Sequence, residues 1–315
     1  MYGVALRDTG LHLRDLIALV RAADDAGYSS IWAPEVGSRD AVVLASLYGS
    51  VTKHATVGTG VVPIYSRNVA ALSLSAAAAS EASDGRFVLG IGAGHRFPTE
   101  AWYEAKWDHP RARLREMVET LRAIFSGERV TRDGAIKLTA FHLGSSPPAV
   151  PIYIAALSPA SLRLAGEIAD GVILNWLPPE GIEKAALLVR EAAADAGRRV
   201  RIISYVRTAI FDDDAHEHIA REALREQTYS YLSLPAYANA VRRVGYGTEI
   251  EAISSGGEKA IDLLVDALCV LGDRDRAREQ LRTYADAGLD SVIVYPVPYS
   301  DDPAESVLET MRAAI

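Results

Sequence analysis

The chain has 315 residues, 49% of them hydrophobic, enough for a substantial core in one large α/β domain or two smaller ones. A formal net charge of −8 without a lysine and arginine run argues against a nucleic-acid partner, and no uncharged apolar stretch reaches the roughly 18 residues of a membrane span. The single cysteine, Cys269, has no partner for an internal disulfide, which fits a reducing, cytoplasmic location, and the charged N-terminus does not read as a secretion signal.

In chain order the apolar pattern predicts a strand near 2–6, a helix over 12–27, a strand over 29–34 and a helix over 39–52. A strand over 55–62, a helix over 68–83 and a strand over 87–92 follow. A helix at 110–126 leads into an irregular stretch, 127–150, rich in Gly, Ser and Pro. Next come a strand at 151–156, a helix at 159–169, a strand at 171–175, a helix at 179–197 and a strand at 200–210. A long, mostly helical region to 286, a strand at 290–296 and a last helix complete the chain. Helix ends are marked: Ser158-Pro159 sets an N-cap serine before a proline at the first helical position, Pro178-Pro179 opens the next helix, and Gly27, Gly85, Gly127, Gly197 and Gly288 follow helical runs. Eight strands, each followed by a helix, is the count that closes a (β/α)8 TIM barrel, whereas open doubly wound sheets more often have fewer. The expectation is one barrel domain over 1–315 whose insertions near 96–109, 127–150 and 212–258 form the pocket walls.

Two segments carry the chemistry. Residues 55–63 and 87–95 are apolar runs that break into glycine, as buried parallel strands do where backbone meets a flat or phosphorylated ligand. Gly90-x-Gly92-x-Gly94 is not the dinucleotide fingerprint, and no acidic residue about 20 positions on supports a ribose contact. His95 follows these glycines at a strand end, where a barrel presents catalytic groups. Ser158 and Ser161, three apart at a helix start, point to an anion held by hydroxyls and free backbone N–H groups, and small Ala155 and Ala156 let a phosphorylated tail lie along the strand end. His216 and His218 lie two apart on an acidic helix start, on different faces, so no metal site is expected. Trp102, Tyr103, Trp107 and Trp176 suit either a hydrophobic pocket or core packing.

The series Ser-Ile-Trp-Ala-Pro-Glu-Val-Gly-Ser-Arg-Asp (30–40), Gly-Thr-Gly-Val-Val-Pro-Ile-Tyr-Ser-Arg-Asn (58–68), Ser-Asp-Gly-Arg-Phe-Val-Leu-Gly-Ile-Gly (83–92), Pro-Ile-Tyr-Ile-Ala-Ala-Leu-Ser-Pro (151–159) and Ala-Asp-Gly-Val-Ile-Leu-Asn-Trp (169–176) resembles the bacterial luciferase-like superfamily, and within it the coenzyme F420-dependent oxidoreductases. The resemblance implies a barrel holding deazaflavin, or alternatively FMN, at the C-terminal ends of its strands. It implies a non-proline cis peptide at Gly60-Val61, in a bulge with Val62 that props the back of the ring, and Gly92, Ala93 and Gly94 beside the ring. Ala155, Ala156, Leu157, Ser158 and Ser161 would take the phosphate tail. His95 stands where the family's sugar-phosphate dehydrogenases carry a glutamate proton donor, so it either protonates the product or only hydrogen-bonds the ring or caps the loop. Glu35 stands where relatives place an acidic or histidine residue beside the deazaflavin, while Arg39 and Asp40 read as a helix cap and Arg67 and Asn68 as loop braces. The activity implied is hydride transfer from reduced F420 to a C=C or C=N bond of a small or peptide-like substrate. The alternatives are an FMN monooxygenase using oxygen, or a flavin carrier without chemistry. Relatives usually pair as homodimers.

Overall fold

The computed structural model describes residues 1–7, 10–254 and 256–315. Its eight central strands are β1 (Tyr2–Ala5), β2 (Ser30–Ala33), β3 (Thr56–Thr59), β4 (Phe87–Gly92), β5 (Ile152–Ala155), β6 (Gly171–Asn175), β7 (Arg201–Ile210) and β8 (Ser291–Pro296). Each pairs in parallel with the next, and β8 pairs with β1 in the register Tyr2↔Val292, Gly3↔Ile293 and Val4↔Val294. The sheet therefore closes, as the eightfold strand count implies, and all eight C-terminal strand ends share one mouth.

The two faces of each strand go to different cores, as a period of two requires. Outward residues such as Ile31, Leu89, Ile91, Ile154, Val172, Leu174, Val292 and Val294 pack against the surrounding helices. The inward set, Trp32, Val88, Tyr153, Ile173, Ile203, Tyr205, Ile293 and Tyr295, forms a separate cluster with Ala5. Large rings fit there because glycine faces them. A Cβ on Gly58 would lie 2.6 Å from the Trp32 ring, its strand neighbour, and one on Gly171 would lie 2.5 Å from the Tyr153 ring.

Helix starts follow side-chain chemistry. Asp40 accepts from the Val42 and Val43 amides before helix Ala41–Val51, and Asn68 accepts from the Ala71 amide before helix Val69–Ala82. Each such cap contributes about 1 kcal/mol. Helix Val69–Ala82, mostly alanine and serine, packs against helix Ala41–Val51 and β4.

Three segments differ from the sequence expectation. The strand expected over 55–62 is interrupted: β3 ends at Thr59, the Gly60-Val61 peptide is cis, and Val62–Pro63 resumes beside β4. The 127–150 stretch holds an antiparallel hairpin, Val130–Asp133 with Lys137–Phe141, whose side chains are largely exposed and give little apolar alternation to read. The region after β7 holds helices Asp214–Leu232, Pro235–Val244, Gly247–Ser254 and Glu258–Leu268, then a strand, Cys269–Gly272, that pairs with the outer half of β7. That strand is four residues long and flanked by helices, so no separate period announces it.

Asp24 ties the first helix, Leu13–Asp25, to the turn that enters β3. Its buried carboxylate accepts from the amides of Lys53 (2.7 Å), His54 (3.1 Å) and Ala55 (2.7 Å). Burial alone would raise its pKa, but the three amides and nearby His54 outweigh it and hold the carboxyl below the ordinary carboxylate value. A lowered folded pKa gives stability that is present above the unfolded value and lost as pH falls through the folded one. Asp24→Ala should lose about 1–3 kcal/mol in urea unfolding near neutral pH, because three backbone donors, the buried Ala55 amide among them, lose their acceptor. The deficit should shrink on acidification, as the parent loses the same contribution.

Candidate functional site

The ends of β3, β4 and β5 form one continuous rim. Val62 pairs with Ile91 and Pro63 with Gly92, which brings the Gly60-Val61 bulge against the glycine-rich end of β4. A Cβ on Gly92 would meet Val61 Cγ2 at 2.8 Å and the Ala155 methyl at 3.2 Å, so the bulge, Gly92 and Ala155 are in mutual contact. Gly94 has φ +75°, in the left-handed region, and turns the chain over Pro63. Gly60 lies over the Tyr205 hydroxyl, 1.5 Å from where a Cβ would stand. Val61, Ala93, Gly94, Ala155 and Leu157 stay partly exposed, while Val62, Gly92 and Ala156 are buried.

Next along the rim, Ser158 caps helix Pro159–Ile168. Its Oγ accepts from the Ser161 amide (3.2 Å) and shares a 2.7 Å hydrogen bond with Ser161 Oγ. One of the two hydroxyls donates to the other, which leaves the second hydroxyl hydrogen available beside the first-turn amides. The Arg243 guanidinium, on helix Pro235–Val244, donates to the Leu157 carbonyl (3.3 Å), so the insertion after β7 reaches this part of the rim.

Glu35 is engaged elsewhere. Arg67 donates to both of its oxygens, Nη1 to Oε1 at 2.9 Å and Nη2 to Oε2 at 2.8 Å, and the Ala41 amide donates to Oε2 at 3.2 Å. Arg67 Nη2 also pairs with Asp40. Burial alone would raise the Asp40 pKa, but Arg67 and two helix amides hold it below the ordinary carboxylate value. The bidentate fork makes Glu35 a fixed acceptor in a bracket joining the ends of β2 and β3. Asn68 and Asp40 act as caps, and Arg67 braces Glu35 to Asp40. Among the described residues, no hydrogen bond or ring contact joins Glu35 to His95.

His95, half-buried, leads instead toward the far side of the mouth. Its ring lies 5.9 Å from that of Tyr237, whose hydroxyl accepts from Asn175 Nδ2 (3.3 Å). Asn175 Oδ1 accepts from Arg207 Nη1 at 2.6 Å. The Arg207 guanidinium, 2% exposed, stands 3.9 Å from the Tyr295 ring centroid, 4.6 Å from Trp176 and 5.1 Å from Tyr231. Trp176 sits at φ 54°, a left-handed turn directly after β6. Arg207 Nε and Trp176 Nε1 are buried without a hydrogen-bond partner.

The cause of this cluster is a parting of strands. β6 pairs with β7 from Gly171↔Arg201 to Asn175↔Tyr205 and no further, while β7 continues and from Arg207 pairs with Cys269–Gly272. The gap above Asn175 is filled by Tyr231 and Tyr237 from the insertion helices. Arg207, Asn175 and Tyr237 escape sequence reading because the parting is tertiary. One signal was available: Arg207 breaks an apolar strand at an inward position, two residues after Tyr205 and four after Ile203.

Two clefts are open. One of about 350 Å³ lies between the ends of β1 and β8 and helix Asp214–Leu232, and Tyr231 and Tyr295 form part of its wall. The other, about 500 Å³ beside Arg96 and the 107–112 segment, touches none of the rim residues. Trp102 is exposed, Trp107 packs on Tyr65, and Trp176 is buried against Tyr231. His216 pairs with Asp213, and no group of metal-ligating side chains occurs among the described residues.

A family model described as luciferase-like monooxygenase matches residues 3–291. The chain is 31% identical to F420-dependent glucose-6-phosphate dehydrogenase of Nocardia farcinica, over 86% of this chain and 78% of that protein. It is 26% identical to 5,10-methylenetetrahydromethanopterin reductase of Methanolobus tindarius, over 87% of each. The solved structure of the coenzyme F420-dependent tetrahydromethanopterin reductase from Methanopyrus kandleri superposes with a TM-score of 0.78 at 23% identity, over 98% of this chain and 96% of that one.

Burial holds the His95 imidazole below its ordinary value near 6.5, favouring the neutral ring in the folded state. The unfolded chain then binds the extra proton first as pH falls, so stability declines below about 6.5 and stops declining once the folded ring is charged. His95→Asn should therefore lose less stability than the parent between about pH 7 and pH 5, measured by urea unfolding.

Proposed function

The chain belongs to the luciferase-like monooxygenase family, and from that premise we propose that it is an F420-dependent reductase acting on a C=C or C=N bond of a small-molecule substrate. The observation that carries the cofactor is the similarity over most of the chain to an F420-dependent glucose-6-phosphate dehydrogenase, beside that to a methylenetetrahydromethanopterin reductase. The rim residues fit such a group. Small residues at 92, 93, 94 and 155 leave room beside Val61, and Ser158 and Ser161 offer a hydroxyl hydrogen near helix amides.

When bound, reduced F420 supplies a hydride. Val61 and the cis Gly60-Val61 bulge would support one face of the ring, with Gly92, Ala93 and Gly94 at its edge. Ser158 and Ser161 would hold the phosphate of the tail. His95, at the rim and facing Tyr237, is the group positioned to protonate the carbanion or nitrogen anion left by hydride addition, the imidazolium giving one N–H proton and becoming neutral imidazole, the form that burial favours. Glu35 keeps the β2 and β3 ends in place through Arg67.

Fluorescence titration tests the cofactor assignment. Reduced F420 should bind in the micromolar range or tighter, and FMN at least roughly tenfold more weakly. Tighter binding of reduced FMN with oxygen consumption would establish the monooxygenase reading instead. Replacing Ser158 and Ser161 with alanine should weaken F420 several-fold while leaving binding of a deazaflavin without the phosphate tail unchanged. A His95→Ala enzyme with full turnover would remove the proton role.

The homodimer reading has its own support. Val43 (58% exposed), Leu47 (36%) and Leu74 (55%) lie on the two adjacent helices Ala41–Val51 and Val69–Ala82. Val43→Glu with Leu74→Glu should convert a dimer to a monomer in light scattering. A parent that is already monomeric would refute the assembly.

A further inference from the structure

Arg207 is used neither by the hydride reading nor by the packing of the barrel interior. Among the described residues, its guanidinium makes one hydrogen bond, from Nη1 to Asn175, and no carboxylate pairs with it. A cation 2% exposed and unpaired is unfavourable, and the rings of Tyr295, Trp176 and Tyr231 offset part of that cost by covering its faces. The rings leave its edge. Nη1 is taken, so the side formed by Nε and Nη2 remains, and Nε is buried without a partner. That side presents two parallel N–H groups, the spacing that a carboxylate accepts with both oxygens.

A cleft adjoins the rings that cover it. Tyr231 and Tyr295, two of the three rings against the guanidinium, also line the 350 Å³ cleft between the β1 and β8 ends and the insertion helix. Arg7 and Glu226 stand on the cleft walls. Gln227, also on the wall, has a buried Oε1 without a hydrogen bond, an acceptor open to a ligand N–H or O–H.

We propose that the substrate carries a carboxylate or an equivalent anionic oxygen group, and that Arg207 binds it side-on at the mouth, through the cleft lined by Tyr231 and Tyr295. This rests on the reading of the mouth as the reductase site, and it makes Arg207 a specificity-determining residue. Neutral substrates would leave both the guanidinium edge and its desolvation uncompensated.

The test uses the full chain without F420, with benzoate and its neutral isostere benzamide as probes and tryptophan emission as the signal. Benzoate should bind saturably and at least roughly tenfold more tightly than benzamide. Trp176→Phe should remove most of the signal, because that ring lies against Arg207. Arg207→Gln should bring benzoate down to the affinity of benzamide while unfolding stays cooperative. Arg207→Lys, which keeps the charge and loses the fork, should fall between them and carries the test if Arg207→Gln does not fold. The Ser158→Ala, Ser161→Ala double variant should bind benzoate as the parent does. Equal affinity of the parent for the two probes, parental benzoate affinity in Arg207→Gln, or loss of binding in the serine variant would each overturn the proposal. Protein that selects benzoate but does not bind F420 would refute the cofactor reading and leave this one standing. The reverse result would refute this one alone.

Discussion

The filling of the barrel interior is the constraint on which the remaining structure depends. A small closed barrel has room for a few large side chains, and here Trp32, Tyr153, Tyr205 and Tyr295 occupy it, with Trp32 5.7 Å from Tyr153 and Tyr205 5.8 Å from Tyr295. They fit because Gly58, Gly60 and Gly171 face them without a Cβ. A filled interior leaves the C-terminal mouth as the face where strand-end loops can build a ligand site. The same filling shapes that mouth, since the Tyr205 hydroxyl lies directly under Gly60, where the strand breaks into its bulge.

The mouth then divides by strand pairing. From β3 to β5 the ends stay paired, with a one-residue shift at the Gly60-Val61 bulge, so their small residues form a continuous low rim. Between β6 and β7 the pairing stops at Tyr205, and the longer β7 carries Arg207 upward with a new partner strand. Helices inserted after β7 cover the gap with Tyr231 and Tyr237. One half of the mouth is thus backbone and small side chains, suited to a flat cofactor. The other is a caged cation, suited to an anionic ligand. His95 sits at their junction through its contact with Tyr237.

The Glu35–Arg67–Asp40 bracket shows what residue type alone does not reveal at a strand end. A glutamate after β2 has the chemistry to meet a ring N–H, but here both oxygens are occupied by one guanidinium and one helix amide. The arginine that takes them comes from the loop after the bulge, 32 residues on, and nothing local predicts that meeting.

Local physics wrote much of this protein into its sequence. Unbroken apolar runs ending in glycine, alanine-rich helices with Asn68, Asp40 and Ser158 as caps, and an eightfold alternation determined the strands, the helices and the closed barrel, because periodicity and capping act over a few residues. Three of the five ordered motifs, 58–68, 83–92 and 151–159, lie along the rim from Gly60 to Ser158. Tertiary structure alone decided which of those groups meet. It bound Glu35 to Arg67, set Tyr205 under Gly60, folded a hairpin from the exposed 130–141 segment, and parted β7 from β6 so that Arg207, Asn175 and Tyr237 came together. Apart from the hairpin, those contacts span about 30 to 145 positions of chain, over which no local preference acts, and they follow from how the strands close.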